Sequence, residues 1–230
     1  MSASSHSSGD LVVAVDGPSG SGKSSVSRGV AIRLGLRYLD TGSMYRAMAW
    51  WMTQNGVDAR DPDAVAAAAG NPVIEAGTDP EAPTISVDGE DVSGPIRTAE
   101  VTSVVSPVSA VPLVRELLVA RQREVIGGGG IVVEGRDIGT VVAPDAAAKI
   151  YLTAQPEVRA RRRAAELSRI TADDEGRTLA ELRSRDTIDT QRAASPLLKA
   201  DDAVEIDATN LTLDEVIDAV VDAVQARSGR

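Results

Sequence analysis

The 230-residue chain has no cysteine, no phenylalanine and a single histidine. Without Cys there is no disulfide framework, no Cys-ligated zinc or iron–sulfur site and no thiol nucleophile. His6 lies in a polar N-terminal stretch, which argues against a His-based metal centre or a Ser-His-Asp triad. Aromatic residues are only 2% (Trp50, Trp51, Tyr38, Tyr45 and Tyr151), too few to stack the bases of a single strand. The formal net charge of −10 argues against a nucleic-acid partner. No apolar run approaches the roughly 20 residues that cross a bilayer, and no basic-then-apolar signal pattern opens the chain. These absences predict a cytoplasmic protein with no membrane or nucleic-acid partner.

What is present is ordinary globular composition, with 43% apolar and 25% charged residues. Of the 24 basic residues only Lys23, Lys149 and Lys199 are lysine, so the positive charge is carried by arginine. Residues 1–10 read as a disordered tail. Apolar runs at 11–15, 131–134, 149–152 and 203–207 fit buried strands, and 37–40 fits a further short one. Between them, helical periodicity covers about 23–34, 41–54, 63–69, 98–105, 112–126, 156–169, 178–192 and 213–226. Residues 71–96 differ: they are Pro-rich, with short β-like pieces at 73–75 and 84–87 and an Asp88-Gly89 turn. Strands alternating with helices predict an α/β fold with a mainly parallel sheet and a small β-rich insertion.

Gly17-Pro18-Ser19-Gly20-Ser21-Gly22-Lys23-Ser24 matches G-x-x-x-x-G-K-[ST] between the first strand and the first helix. Its glycines let successive backbone N–H groups turn inward on a phosphate, and the helix N-terminus adds the positive end of its dipole. Lys23 is placed for the β- and γ-phosphates of a nucleotide and the Ser24 hydroxyl for Mg²⁺. No N-K-x-D guanine motif accompanies it, and the chain is short for a motor or AAA-type ATPase. A small phosphotransferase remains.

Ligands of an open parallel sheet bind at the carboxyl ends of its strands. Leu39-Asp40-Thr41-Gly42-Ser43-Met44-Tyr45-Arg46 follows the second strand, so its residues face the same crevice, with Arg46 placed to fork onto a phosphate. A helix cap at Thr41 with a surface Arg46 explains the segment equally well. Glu134-Gly135-Arg136-Asp137 repeats the arrangement after a later strand. Glu134 stands where it could hold Mg²⁺ directly or through water, while Arg136 and Asp137 either enter the crevice or form a surface ion pair. Arg159, Arg161, Arg162 and Arg163 crowd the start of a helix, where the dipole disfavours cations; an anionic ligand or a solvated face accounts for them. Arg185-Asp186, Asp189 and Arg192 recur at i, i+4 and i+7 on one helix face, as substrate contacts or as helix salt bridges.

Together, DGPSGSGKSS, LDTGSMYR, DGEDVSGPIRT, SPVSAVPLVR, VEGRDIGTVVAPDA and RDTIDTQRAASPL resemble the bacterial-type cytidylate (CMP/dCMP) kinase family, within the nucleoside monophosphate kinases, over nearly the whole chain. The resemblance implies a three-layer P-loop kinase fold: a central five-stranded parallel sheet, a β-rich CMP-binding insertion (71–95) and a short Arg-rich lid (159–178). The core would comprise 11–70, 96–158 and 179–227. It implies transfer of the ATP γ-phosphoryl group to CMP or dCMP by a Mg²⁺-dependent monomer. ATP would meet Gly17, Pro18, Ser19, Gly20, Ser21, Gly22, Lys23, Ser24 and Ser25. CMP would meet Asp40, Thr41 and Tyr45, with Ser106, Arg115 and Asp137 on the base. Arg46, Arg136 and Arg192 would take its phosphate, and Arg185 and Asp189 its ribose. Mg²⁺ would sit at Ser24 and Glu134, where relatives carry Asp at the latter position. Lys23, Arg159 and Arg163 would neutralise the transferring group. The alternatives are a kinase preferring UMP and a nucleotide-dependent regulator that transfers nothing.

Overall fold

From the N-terminus run β1 (Val12–Asp16), α1 (Lys23–Leu34), β2 (Arg37–Asp40), α2 (Thr41–Gln54), α3 (Pro62–Ala68), β3 (Ile74–Ala76), β4 (Ile85–Val87) and β5 (Glu90–Asp91). There follow α4 (Ala99–Ala110), α5 (Pro112–Ile126), β6 (Ile131–Gly135), β7 (Ala148–Thr153), α6 (Pro156–Glu166), α7 (Ala172–Gln191), β8 (Val204–Asp207) and α8 (Leu213–Ser228). This computed structural model describes residues 10–166, 172–192 and 194–228. The expected tail therefore falls, apart from Asp10, outside the described residues. So do 167–169, the last residues expected of the helix that α6 realises.

The four apolar runs and the short 37–40 strand form one parallel sheet in the order β2-β6-β1-β7-β8. Alternate side chains serve opposite faces. Ala14, Leu39, Ile131 and Val133 pack against α2, α4 and α5, whereas Val13, Val15, Tyr38 and Val132 pack against α1 and α8. Burial on both faces explains why the central β1 and β6 read as continuous apolar runs, whereas β7 alternates and the edge strand β8 buries only Ile206. β3, β4 and β5 form a separate antiparallel sheet within the Pro-rich stretch.

Three details depart from the sequence reading. α4 continues to Ala110 through Pro107, although a proline ordinarily stops a helix. Its Val101, Val105 and Val108 are buried in the main core, and that packing outweighs the lost backbone bond. The chain then breaks at the extended Val111 before Pro112 opens α5, with a 95° bend between the two helices. α7 begins at Ala172, before rather than after Gly176. β5 carries two exposed acidic residues, too short and too polar a strand to signal itself. Among the described residues, no single helix is long and apolar enough to cross a membrane.

The register brings distant residues level at the carboxyl edge of the sheet. Asp16 pairs with Gly135 and Asp40 with Glu134. Immediately beyond, Gly17 adopts φ +150°, and a Cβ there would lie 2.0 Å from the Leu152 carbonyl oxygen of β7. That backbone cannot retreat without breaking the sheet. Gly17→Ala should therefore destabilise the fold by roughly 1–3 kcal/mol or more, read as a melting temperature several degrees lower; an unchanged melting temperature would contradict this close approach.

Candidate active site

Between β1 and α1 the phosphate loop carries positive φ at Gly17, Gly20 and Gly22. Gly22 caps α1 without any side-chain hydrogen bond, so the first N–H groups of the helix are left to an external acceptor. Lys23 folds back over the loop, its Nζ donating to the Pro18 carbonyl at 2.7 Å and the Ser21 hydroxyl at 3.4 Å. Burial, with the Arg136 guanidinium nearby, pushes the Lys23 ammonium down to about 7. Burial and the neighbouring Asp40 carboxylate push Glu134 up to about 7.

One cleft at the carboxyl ends of the strands collects nearly all the candidates. Ser19, Gly20, Gly22, Lys23, Ser24 and Ser25 line it from the phosphate loop and α1. So do Asp40, Thr41, Tyr45, Arg46, Ser106, Arg115, Glu134, Arg136, Asp137, Arg163, Arg185, Asp189 and Arg192. Among the described residues, eight basic side chains against four acidic ones line this cleft, in a chain whose formal charge is −10. Gly17, Pro18, Ser21 and Arg159 are not among its lining residues.

The side chains resolve the alternatives left by the sequence. Asp40, not Thr41, caps α2, accepting from the Ser43 N–H at 3.0 Å. The Thr41 hydroxyl donates instead to the Glu134 carbonyl at 2.7 Å, fastening α2 to β6. Arg46 is no free surface group, for its Nη1 donates to Ile96 O and Thr102 Oγ1. Burial, with Arg185 and Arg163 facing it, lowers its guanidinium to about 9. Such crowding of like charge costs free energy until an anion relieves it.

Arg136 and Asp137 do not pair with each other. Arg136 Nε donates to Asp189 at 3.1 Å, and Asp137 Oδ2 accepts from Arg115 Nη2 at 2.5 Å. Asp189 also meets Arg192 at 3.5 Å, while the second Asp137 oxygen lies 3.9 Å from Arg192. The Arg115–Asp137 pair is only 4% and 5% exposed, and Arg115 lies 5.0 Å above the Tyr45 ring. Several polar atoms around it make no hydrogen bond: Tyr45 Oη, Arg115 Nε, Arg185 Nε and Arg192 Nη2, the last only approaching Asp137 at 3.9 Å. Buried unpaired polar atoms are expensive, and four around one cleft point to a polar ligand.

The basic cluster on α6 divides by role. Arg163 lines the cleft, Arg162 Nη2 donates to Ala208 O, and Arg161 is exposed. Arg159 is buried, spent on Asp186, Ser19 O and Ala154 O rather than facing a ligand.

Sequence reasoning missed Asp16. Its two carboxylate oxygens accept from the Ile138 and Gly139 N–H groups at 2.8 and 2.7 Å, holding the π-helical turn that follows Asp137. Burial raises Asp16 to about 6, although those two N–H groups oppose the rise. An acid closing a buried strand was its only signal. Ile96, Arg97 and Ser109 also line the cleft unforeseen.

The donor set suits a hard cation. Glu134 accepts from the Tyr38 hydroxyl and lies beside the Ser24 hydroxyl and Asp40. Among the described residues no three acidic or histidine side chains form a metal cage. One hydroxyl and one or two carboxylates, completed by water and phosphate oxygens, is how Mg²⁺ is ordinarily held.

A family model described as Cytidylate kinase matches residues 13–226. The chain is 59% identical over 219 residues to a cytidylate kinase of Streptomyces griseus subsp. griseus, covering 94% of each chain. It is 54% identical over 225 residues to one from Rhodococcus opacus, covering 97% of this chain and 98% of that one. For one from Mycobacterium leprae the identity is 52% over 222 residues, covering 96% and 98%. A match of this extent, end to end and across every strand that borders the cleft, places the chain in the cytidylate kinase family.

Proposed function

We propose that this protein transfers the γ-phosphoryl group of ATP to CMP or dCMP, giving ADP and CDP or dCDP. The observation that carries the reading is the cleft itself, lined together by the phosphate loop, the buried Arg115–Asp137 pair and further arginines. An acceptor phosphate oxygen, already ionised near neutral pH, attacks the γ-phosphorus. The bond to the β–γ bridging oxygen breaks and ADP departs, so no general base is required. The protein's work is positioning and charge neutralisation.

In this reading Lys23 and Arg163 offset the charge on the transferring group. Arg46, Arg136 and Arg192 hold the acceptor phosphate in line, and Arg185 and Asp189 meet its ribose. Ser24 and Glu134 would hold Mg²⁺, which when bound supplies charge neutralisation of the nucleotide phosphates. Asp137, with one oxygen spent on Arg115, offers the other to the cytosine amino group, while Ser106 and Arg115 donate. Residues 71–95 and 159–178 would close over the substrates as insertion and lid and exclude water. A monomer in the cytoplasm suffices for this; the net charge of −10 disfavours nucleic acid, while the basic cleft favours small nucleotides.

Initial rates with CMP, dCMP, UMP, AMP, GMP and dTMP test the proposal. CMP and dCMP should be the fastest acceptors. Preference for another base would overturn the base assignment, and transfer to none would overturn the phosphotransferase reading.

The lowered Lys23 gives a second test. A triphosphate beside it favours the charged form, so nucleotide binding at about pH 8 without Mg²⁺ should take up protons. Binding heats in two buffers of unlike ionisation enthalpy should differ for the wild type, and the difference should shrink in Lys23→Ala/Glu134→Gln relative to Glu134→Gln, which removes the neighbouring carboxyl that also titrates near 7. Equal heats for the wild type would contradict the assignment.

A further inference from the structure

We propose that Asp186 is a positioning residue that couples the two substrate sites through the Ser19 peptide of the phosphate loop, an inference that rests on the kinase reading above. Ser19 is held from both sides. Its N–H donates to Asp186 Oδ1 at 3.3 Å, and its carbonyl accepts from Arg159 Nη1 at 2.8 Å. The same Arg159 Nη1 donates to Asp186 Oδ2 at 2.7 Å, which closes a ring of contacts around the Ser19 backbone, spanning its two adjoining peptide groups. Arg159 is 6% exposed, with Nε anchored on the Ala154 carbonyl. The neighbouring Gly20 leaves no slack, since a Cβ there would come within 3.1 Å of the Arg159 carbonyl oxygen. The loop therefore cannot shift at Ser19 without moving the start of α6 or the middle of α7.

Asp186 stands on α7 between Arg185 and Asp189, both of which line the cleft and are assigned above to the acceptor. One helix thus touches the phosphate loop with one residue and the acceptor site with its neighbours. Arg185 Nε is a buried donor with no hydrogen bond, and Arg192 Nη2 makes none either, only approaching Asp137 at 3.9 Å. Ribose and phosphate oxygens that engage them draw α7 toward the acceptor, and the Asp186–Arg159 ring carries that movement to Ser19. An ordinary helix ion pair would hold α6 to α7 but would not grip the loop backbone at both its N–H and its C=O. This is the kind of rigid shared element through which two sites can exchange free energy.

The test is the mutual effect of the two ligands, measured by calorimetry with CMP and a non-hydrolysable ATP analogue on the full chain. In the wild type each ligand should tighten the other by about fivefold or more, and by the same factor in both directions. Asp186→Asn keeps the size but cannot form the ion pair with Arg159. Each ligand alone should then bind within about twofold of wild type, while the mutual enhancement disappears. A merely structural Asp186 would weaken both ligands and leave the enhancement intact, and that result overturns the proposal, as does a wild type with no enhancement. Should Asp186→Asn melt below the assay temperature, Arg159→Lys, which keeps the charge and loses the forked donor, must lose the enhancement in its place. A wild type that fails to bind CMP at all would overturn the kinase reading, and the coupling with it.

Discussion

A protein of strongly negative formal charge gathers, among its described residues, eight basic side chains into one cleft, and the rest of the architecture serves to make that tolerable. Like charges in a partly dry site repel, and burial removes the water that would screen them. Two carboxylates do most of the compensating. Asp137 holds Arg115 and lies near Arg192, while Asp189 spans Arg136 and Arg192. Removing one partner of such a buried pair costs about 3–5 kcal/mol, so the network fixes its own geometry. The compensation is incomplete: the depressed Arg46 and Arg185 and the unpartnered guanidinium nitrogens mark where an anion completes the balance.

Holding that network requires elements far apart in sequence to end at one level. Parallel register does this for Asp16, Asp40 and Glu134, and Asp16 extends the order beyond the strands by capturing the turn after Asp137. The phosphate loop and the acceptor loop are thereby referred to the same strand end. Thr41, expected to reach substrate, adds a third fastening between α2 and β6. Positioning to within fractions of an ångström matters more here than reactivity, because the chemistry attributed to this cleft asks for no proton transfer from the protein.

The sequence made the sheet and the cleft legible for physical reasons. Strands covered on both faces leave apolar runs, and a loop that must wrap a phosphate leaves a Gly-rich signature at a fixed spacing. Arg46, Arg136 and Arg192 were legible as crevice residues because each follows a strand or shares a helix face with other candidates. Pairing was not legible. Nothing local says that Arg136 bonds Asp189 rather than its neighbour Asp137, or that Arg159 turns away from the cleft onto Ser19, since these contacts join residues 53 and 140 positions apart. The course of α4 through Pro107 was likewise set by burial against α2, which local propensity cannot report.

The central claim is that the buried Arg115–Asp137 pair reads the base, and specificity measured on one substitution tests it most directly. Cytosine presents an amino donor where uracil presents a carbonyl, so a fixed carboxylate acceptor discriminates between them, by about 1–3 kcal/mol or more when buried. Asp137→Asn keeps the shape but can turn an amide N–H₂ toward the uracil carbonyl. Comparing kcat/KM for CMP and UMP in both proteins, the account predicts a CMP:UMP preference about tenfold narrower in the variant. Equal losses with both substrates, leaving the ratio unchanged, would mean that Asp137 only holds Arg115 in place and would contradict the account.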